Sequence, residues 1–302
     1  MAGVPISVSV ERVRAVVADM LGVEVMRVER LSGSVANQDF GVHLAEGARV
    51  ILKAGPATEV AAEAWACERL TAAGLPVPRL VALELDATRL SLPFLMVTFV
   101  EGEPSDGADV ARDAGGWFRQ VHAIELPGWG PLLVTQGSTG IEARGRYSSW
   151  RDAIEGQLTG LPDLVAAGLL TDALAGIIRA LVDVEHLDYT GPGVLLHNDL
   201  KPAHLYGIAA DVRWRLSATI DWGDASVGDP AAELARLSMS GPVAIAAFLD
   251  GYGAAHTRDL ADRLARYRIL WNVRALSYEY RAGGDWFGTY RARIAEDVNL
   301  LT

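Results

Sequence analysis

Two stretches decide how this chain reads: Val194-Leu195-Leu196-His197-Asn198-Asp199-Leu200-Lys201-Pro202-Ala203-His204-Leu205-Tyr206 and, eleven residues on, Ala218-Thr219-Ile220-Asp221-Trp222-Gly223-Asp224-Ala225-Ser226-Val227-Gly228-Asp229-Pro230. Each is a short apolar strand that ends in an acid. Val194 to Leu196 delivers His197, Asn198 and Asp199, and Ser217 to Ile220 delivers Asp221. Carboxylates at strand ends face a cleft, where they hold a hard cation or take a proton. One aspartate after a strand is ordinarily a turn residue. Two in this framing, with Lys201-Pro202 and His204 between them, are not explained as turns. Asp229-Pro230 reads as the N-cap and first position of a helix, so Asp229 is expected to be structural.

Outward from this region, the chain divides by pattern. Residues 8–22 read as a short amphipathic helix, and 26–31, 39–45 and 49–54 as strands. Residues 32–37 form a turn, and Gly55-Pro56 ends the strands. Residues 58–73 read as a helix stopped by Gly74 and Pro76, and two more strands follow at 80–85 and 94–100. Beyond Gly102 the chain turns mostly helical, with helices expected at 108–123, 149–157 and 171–184 and from Pro230 onward, around a β-rich insert at 193–221. The expected fold is α+β with two lobes. A small β-rich lobe spans 1–101 and a large, mainly helical lobe spans 102–302. A ligand cleft lies between them.

Composition narrows the function classes. Half of the 302 residues are hydrophobic and 22% are charged, a globular balance. One cysteine, Cys67, excludes a disulfide framework and a cysteine-cluster metal site. No apolar run is long enough to span a membrane, and no basic segment leads into an apolar one near the N-terminus, so a cytoplasmic protein without membrane association is expected. The net charge of -11 argues against nucleic-acid binding. It is uneven: residues 1–100 carry 9 basic and 11 acidic side chains, and the remainder carry 18 and 27. Only Lys53 and Lys201 are lysines among 27 basic residues. A lysine kept in so arginine-rich a chain suggests a need for a compact point charge.

Taken together, these motifs resemble the aminoglycoside phosphotransferase family of protein-kinase-like, small-molecule kinases. His197-Asn198-Asp199, with four residues to His204, is similar to that family's catalytic loop, H-x-D-x-x-x-x-N, and Asp221-Trp222-Gly223 to its D-[FW]-G element. Lys53 in Val50-Ile51-Leu52-Lys53 matches the strand lysine, Glu63 its helix partner, Leu75-Pro76-Val77-Pro78 the P-V-P signature, and Phe94 to Gly102 the hinge. The resemblance covers nearly the whole chain. It implies Asp199 as the base that accepts the hydroxyl proton and Asp221 as a ligand of Mg²⁺. It implies Lys53 on the nucleotide phosphates, with Glu63 fixing it, while Glu59 and Glu68 read as solvated acids. Residues 98–101 would be the hinge, with backbone groups of Thr98 and Val100 at the adenine. The turn containing Ser34 would cover the phosphates, although it lacks G-x-G-x-x-G. His204 stands where the family ordinarily has asparagine. Macrolide kinases and some aminoglycoside kinases carry histidine there. It reads either as a metal-site residue or as a hydrogen-bonding support of the loop. Lys201 reads either as a catalytic neutraliser of the transferred phosphate or as a solvated lysine.

The acceptor is expected to be small, because Asp229-Pro230 starts a helix too soon after Asp221 for a protein-kinase activation segment. ATP or GTP with Mg²⁺ would be the donor system, and a hydroxylated antibiotic the acceptor, an aminoglycoside first. Asp152, Glu155, Asp224, Glu279 and Asp285 are candidate acids for it. The aromatic residues Trp271, Tyr278, Tyr280, Trp286, Phe287 and Tyr290 are expected to lie mostly in the core. Some of them would suit a macrolide or nucleoside antibiotic instead. The rival readings are a metabolic kinase acting on choline, homoserine or a sugar, and a nucleotide-binding pseudokinase. The chain is expected as a monomer or homodimer.

Overall fold

The computed structural model describes residues 7–31, 37–136, 141–183, 185–255 and 257–302. Helix α1 (Val10–Leu21) starts at Ser9, whose hydroxyl accepts the Arg12 N–H, and stops at Gly22 in the left-handed region. Then come β1 (Val25–Arg30), β2 (Gln38–Leu44), β3 (Arg49–Ala54), α2 (Ala57–Ala72), β4 (Leu80–Glu84) and β5 (Phe94–Thr98). The five strands form one antiparallel sheet in the order β1-β2-β3-β5-β4.

Alternation along these strands sorts side chains to two faces. Phe40, Val42, Val50, Leu52 and Met96 pack with Val13, Val16 and Val17 of α1. The opposite face carries Leu95 and Val97, which meet Val60 and Cys67 of α2. A different side of α2, with Ala62, Ala66 and Leu70, enters the large core of the C-terminal region. An alanine-rich helix suits this place, since small side chains let it be buried on both sides at no cost in helix propensity.

The second region contains β6 (Glu103–Pro104), α3 (Ala108–Val121), β7 (Trp129–Gln136), β8 (Ile141–Tyr147), α4 (Trp150–Gln157), α5 (Leu161–Ala166) and α6 (Asp172–Leu181). It continues with β9 (Val194–Leu196), β10 (Leu205–Ala210), β11 (Arg213–Thr219), β12 (Ser226–Gly228), α7 (Pro230–Ser238), α8 (Pro242–Tyr252), α9 (Arg258–Ala282) and α10 (Phe287–Leu301). Two small sheets, β11-β10-β6 and β8-β7-β12-β9, sit among the helices. Pairing of β9 with β12, Leu196 opposite Ser226, places the strand that leads into Asp199 beside the chain that follows Asp221. The backbone of Thr219 donates to the carbonyl of Pro76, docking the segment after α2 onto β11.

The hairpin of β7 and β8 and the short α5 are additions to the mostly helical pattern expected of this region. Pro127, Gly128, Gly130 and Pro131 punctuate that stretch as a loop would. Gly128 (φ 76°) lies so close to the next strand that a Cβ would sit 2.6 Å from the carbonyl oxygen of Gly145. The glycine is thus a condition of the hairpin. His122 is packed and bonds the Tyr252 hydroxyl through Nδ1 at 2.9 Å, and burial pushes its pKa down to about 3. No helix among the described residues is long and apolar enough to cross a membrane.

Candidate active site

The site begins at β3. Lys53 lies directly opposite Asp39 across the β2–β3 ladder, so both side chains project from one face. Lys53 Nζ donates to Glu63 Oε2 of α2 at 2.5 Å and to Asp221 Oδ1 at 2.6 Å. This ammonium therefore ties the sheet, α2 and the segment after β11 together. Burial alone would push its pKa down, but Glu63, Asp221 and Asp39 outweigh that and hold it well above the ordinary value. Glu63 is buried, whereas Glu68 is exposed.

The loop after β9 is held from below. His197 is fully buried; its Nε2–H donates to the Ile220 carbonyl at 2.8 Å, and its Nδ1 accepts the Asp199 N–H at 3.3 Å. The histidine thus pins the Asp199 loop to the strand that leads into Asp221. Glu233 on α7, also fully buried, accepts the backbone N–H groups of His197 at 2.5 Å and Asn198 at 3.1 Å. Asn198 and Asp221 are both left-handed, with φ of 65° and 70°. That region is costly for residues other than glycine, and among those least so for Asn and Asp. Trp222 is buried, stacks on Phe118 and donates Nε1–H to the Thr219 carbonyl at 3.2 Å. Asp229 caps α7, as expected, and accepts from the Tyr267 hydroxyl at 2.5 Å.

Asp199 is gripped at both oxygens. Lys201 Nζ donates to Oδ2 at 2.7 Å, and Arg236 Nε donates to Oδ1 at 2.8 Å. Burial would raise this carboxyl's pKa, but Arg236 and Lys201 outweigh it and hold it below the usual range. Arg236 lies over the ring of Trp271, 4.3 Å from its centroid, and the Trp271 indole N–H donates to the Asn198 carbonyl at 3.3 Å.

His204 is buried, and its Nδ1–H donates to the Asp199 backbone carbonyl at 3.0 Å. Its Nε2 faces Asp221 Oδ2 at 3.2 Å. Burial pushes the imidazole pKa down to about 3, against the upward pull of Asp221 and Asp199. Donor atoms of Asp199, His204 and Asp221 all lie within 4.8 Å of one another. Two carboxylates and one imidazole at this spacing could hold a divalent ion, with the nitrogen a softer donor than Mg²⁺ prefers.

The other expected positions are dispersed. Thr98 donates its N–H to the Arg79 carbonyl and accepts the Arg79 N–H at Oγ1, both at 2.9 Å. Thr98 and Val100 line a cavity of about 490 Å³ with Val77, Arg79, Ile208 and Ser217, while Lys53, Asp199 and Asp221 do not line it. Ser34 lies outside the described residues. Asp224 is exposed on the turn after Asp221, and its carbonyl accepts from Asn198 Nδ2 at 3.2 Å. Asp152 is exposed on α4 and accepts from the Ser149 hydroxyl at 2.7 Å, and Glu155 is exposed one turn on. Glu279 Oε1 accepts the N–H groups of Asp285 at 2.9 Å and Trp286 at 3.2 Å, which closes the turn between α9 and α10. The expectation that the C-terminal aromatics lie mostly in the core is overturned. Tyr278, Tyr280 and Trp286 are exposed, and only Trp271, Phe287 and Tyr290 are partly buried. Helical spacing alone does not distinguish a side facing the core from one facing a cleft.

The residues that sequence reading missed are Glu233 and Arg236. Both sit on α7, just beyond the recognisable motif, where E-L-A-R reads as an ordinary amphipathic turn.

A profile of the phosphotransferase enzyme family (APH) matches residues 27–268, and the chain belongs to that family. It is an enzyme of the small-molecule kinase type, a phosphotransferase acting on hydroxyl groups. A search of curated sequences finds no match. Among solved structures, a thermostable mutant of aminoglycoside phosphotransferase APH(4)-Ia superimposes with a TM-score of 0.72 at 18% identity, over 95% of this chain and 98% of that one. A putative fructosamine-3-kinase from Thermobifida fusca gives 0.72 at 20% identity, over 97% and 99%. The GDP and kanamycin complex of an APH(2")-type enzyme gives 0.68 at 18% identity, over 97% of each. These likenesses establish the two-lobed, kinase-like fold.

Proposed function

We propose that the protein transfers the γ-phosphoryl group of ATP or GTP directly to a hydroxyl of a small-molecule antibiotic and so inactivates it. Residues 1–101 serve as the nucleotide lobe, with 98–101 as hinge, and 102–302 as the catalytic and acceptor lobe. The observation that carries this reading is the placement of Lys53, Glu63 and Asp221 in one hydrogen-bonded set beside Asp199 and His204. Complexes of similar proteins with nucleotides and with hygromycin B or kanamycin support it.

Phosphoryl transfer needs alignment and charge neutralisation more than covalent help. Lys53, kept charged and aimed by Glu63, binds nucleotide phosphate oxygens. Asp199 orients the acceptor hydroxyl and takes its proton. The acceptor oxygen forms a bond to the γ-phosphorus as the bond to the bridging oxygen of the departing nucleoside diphosphate breaks. Lys201 offsets charge on the transferred group. Asp221 and His204, with Asp199 adjacent, would hold Mg²⁺, which when bound neutralises phosphate charge.

Because one donor is an imidazole nitrogen, Co²⁺ should bind the protein with a non-hydrolysable nucleotide more favourably, relative to Mg²⁺, than it binds the His204→Asn variant. Calorimetric titration of both ions measures this. An unchanged Co²⁺-to-Mg²⁺ ratio would remove His204 from the metal site.

For the acceptor, the acidic C-terminal two-thirds favours a polycationic aminoglycoside. A second reading, a macrolide or nucleoside antibiotic, is favoured by the exposed Tyr278 and Trp286. A coupled assay for ADP or GDP release against aminoglycosides, macrolides and nucleosides tests both. A cationic acceptor alone giving turnover supports the first. Turnover only with uncharged acceptors supports the second. Silence across the panel removes the antibiotic assignment.

A further inference from the structure

The two cations on Asp199 are not equivalent. Arg236 has a side chain only 11% exposed, fixed by the Trp271 face on one side and by Asp199 Oδ1 on the other. Lys201 is 32% exposed and has a flexible four-carbon stem, so its hold on Oδ2 is easily exchanged. Trp271 is itself tied to the same loop through the Asn198 carbonyl. α7, α9 and the catalytic loop therefore meet at the Arg236 guanidinium.

Resting on the kinase reading above, we propose that Arg236, seated on Trp271, is a positioning residue that locks Asp199 through Oδ1 and leaves Oδ2 to meet the acceptor. In the transfer step the acceptor proton passes to Oδ2. The acceptor oxygen bonds to phosphorus, the phosphorus–oxygen bond to the leaving diphosphate breaks, and Lys201 leaves Oδ2 to follow the transferred phosphoryl group. Arg236 stays in place throughout. A charge-assisted bond from a stacked guanidinium is well suited to such a fixed role. Lysine at 236 would keep the charge but lose the planar stacking.

The test compares wild type with Arg236→Ala and Arg236→Lys in Mg²⁺-dependent release of ADP or GDP, using the fastest acceptor of the antibiotic panel or water. The cost of misplacing a reacting group by about 1 Å is ~10²-fold, and a fall of that order in kcat is expected for Arg236→Ala, with the nucleotide KM unchanged. Added guanidinium should restore part of the rate by filling the space over Trp271. Arg236→Lys should recover less than guanidinium does. Equal kcat in wild type and Arg236→Ala would overturn the assignment. So would a loss shared by kcat and KM that guanidinium does not rescue, the mark of a merely structural residue. If wild type releases no more diphosphate than Asp199→Ala, with any acceptor, the kinase reading fails and this assignment falls with it.

Discussion

Replacing Asp199 by alanine is expected to lower turnover by ~10²–10⁴-fold, the usual cost of losing a general base. The fold should survive. Asp199 is only partly buried; Lys201 regains water when released, and Arg236 keeps its seat on the Trp271 ring. Nucleotide affinity should change little, because Lys53 does not touch Asp199; its partners are Glu63 and Asp221. The informative comparison is Asp199→Asn. It keeps the shape and one acceptor oxygen but presents an amide to Arg236 or to Lys201, so one of the two cations loses its partner. Steady-state kinetics with a calorimetric nucleotide titration checks this. A near-normal rate in Asp199→Ala would remove the base assignment.

Glu233→Ala should cost about 2–5 kcal/mol in stability, because it orphans the buried N–H of His197 and the partly buried N–H of Asn198 together. Those two amides sit at the bend that aims Asp199, where Asn198 is left-handed. Turnover should therefore fall as well, although Glu233 touches no reacting atom. Glu233→Gln retains one acceptor oxygen for two donors and should lie between wild type and alanine. Urea denaturation followed by Trp fluorescence reads the stability change. A loss below about 1 kcal/mol, the value of an ordinary hydrogen bond, would show that the carboxylate does not hold this bend.

These two residues illustrate what the sequence made legible. Asp199 was visible because an apolar strand, a histidine and a lysine frame it within the short stretch from Val194 to Lys201, a local pattern that chemistry recognises. Lys53 stood out as one of two lysines, and alternation placed it on a strand. Glu63, on the next helix, came only from the family resemblance, which implies a partner for the lysine there. The sheet lobe was readable because its strands alternate and its breakers fall at their ends. Glu233 was not legible, because an acid on a helix shows no sign that it will be buried against a loop far away in sequence. Arg236 was hidden among the many arginines, and its meaning comes from Trp271, on a different helix. The β7–β8 hairpin was lost to its own glycines and prolines, which read as loop until β12 supplies the pairing partner for β7. The exposed Tyr278, Tyr280 and Trp286 show the converse: apolar periodicity marks a face without saying what covers it.

The most direct measurement follows a labelled γ-phosphoryl group from ATP or GTP into the acceptor panel, with Asp199→Ala beside wild type. The expected result is one phosphate ester on an acceptor hydroxyl, formed in step with nucleoside diphosphate and lost in the variant. Tight binding of nucleotide with no label in any acceptor, and no diphosphate above the Asp199→Ala level, would contradict the assignment.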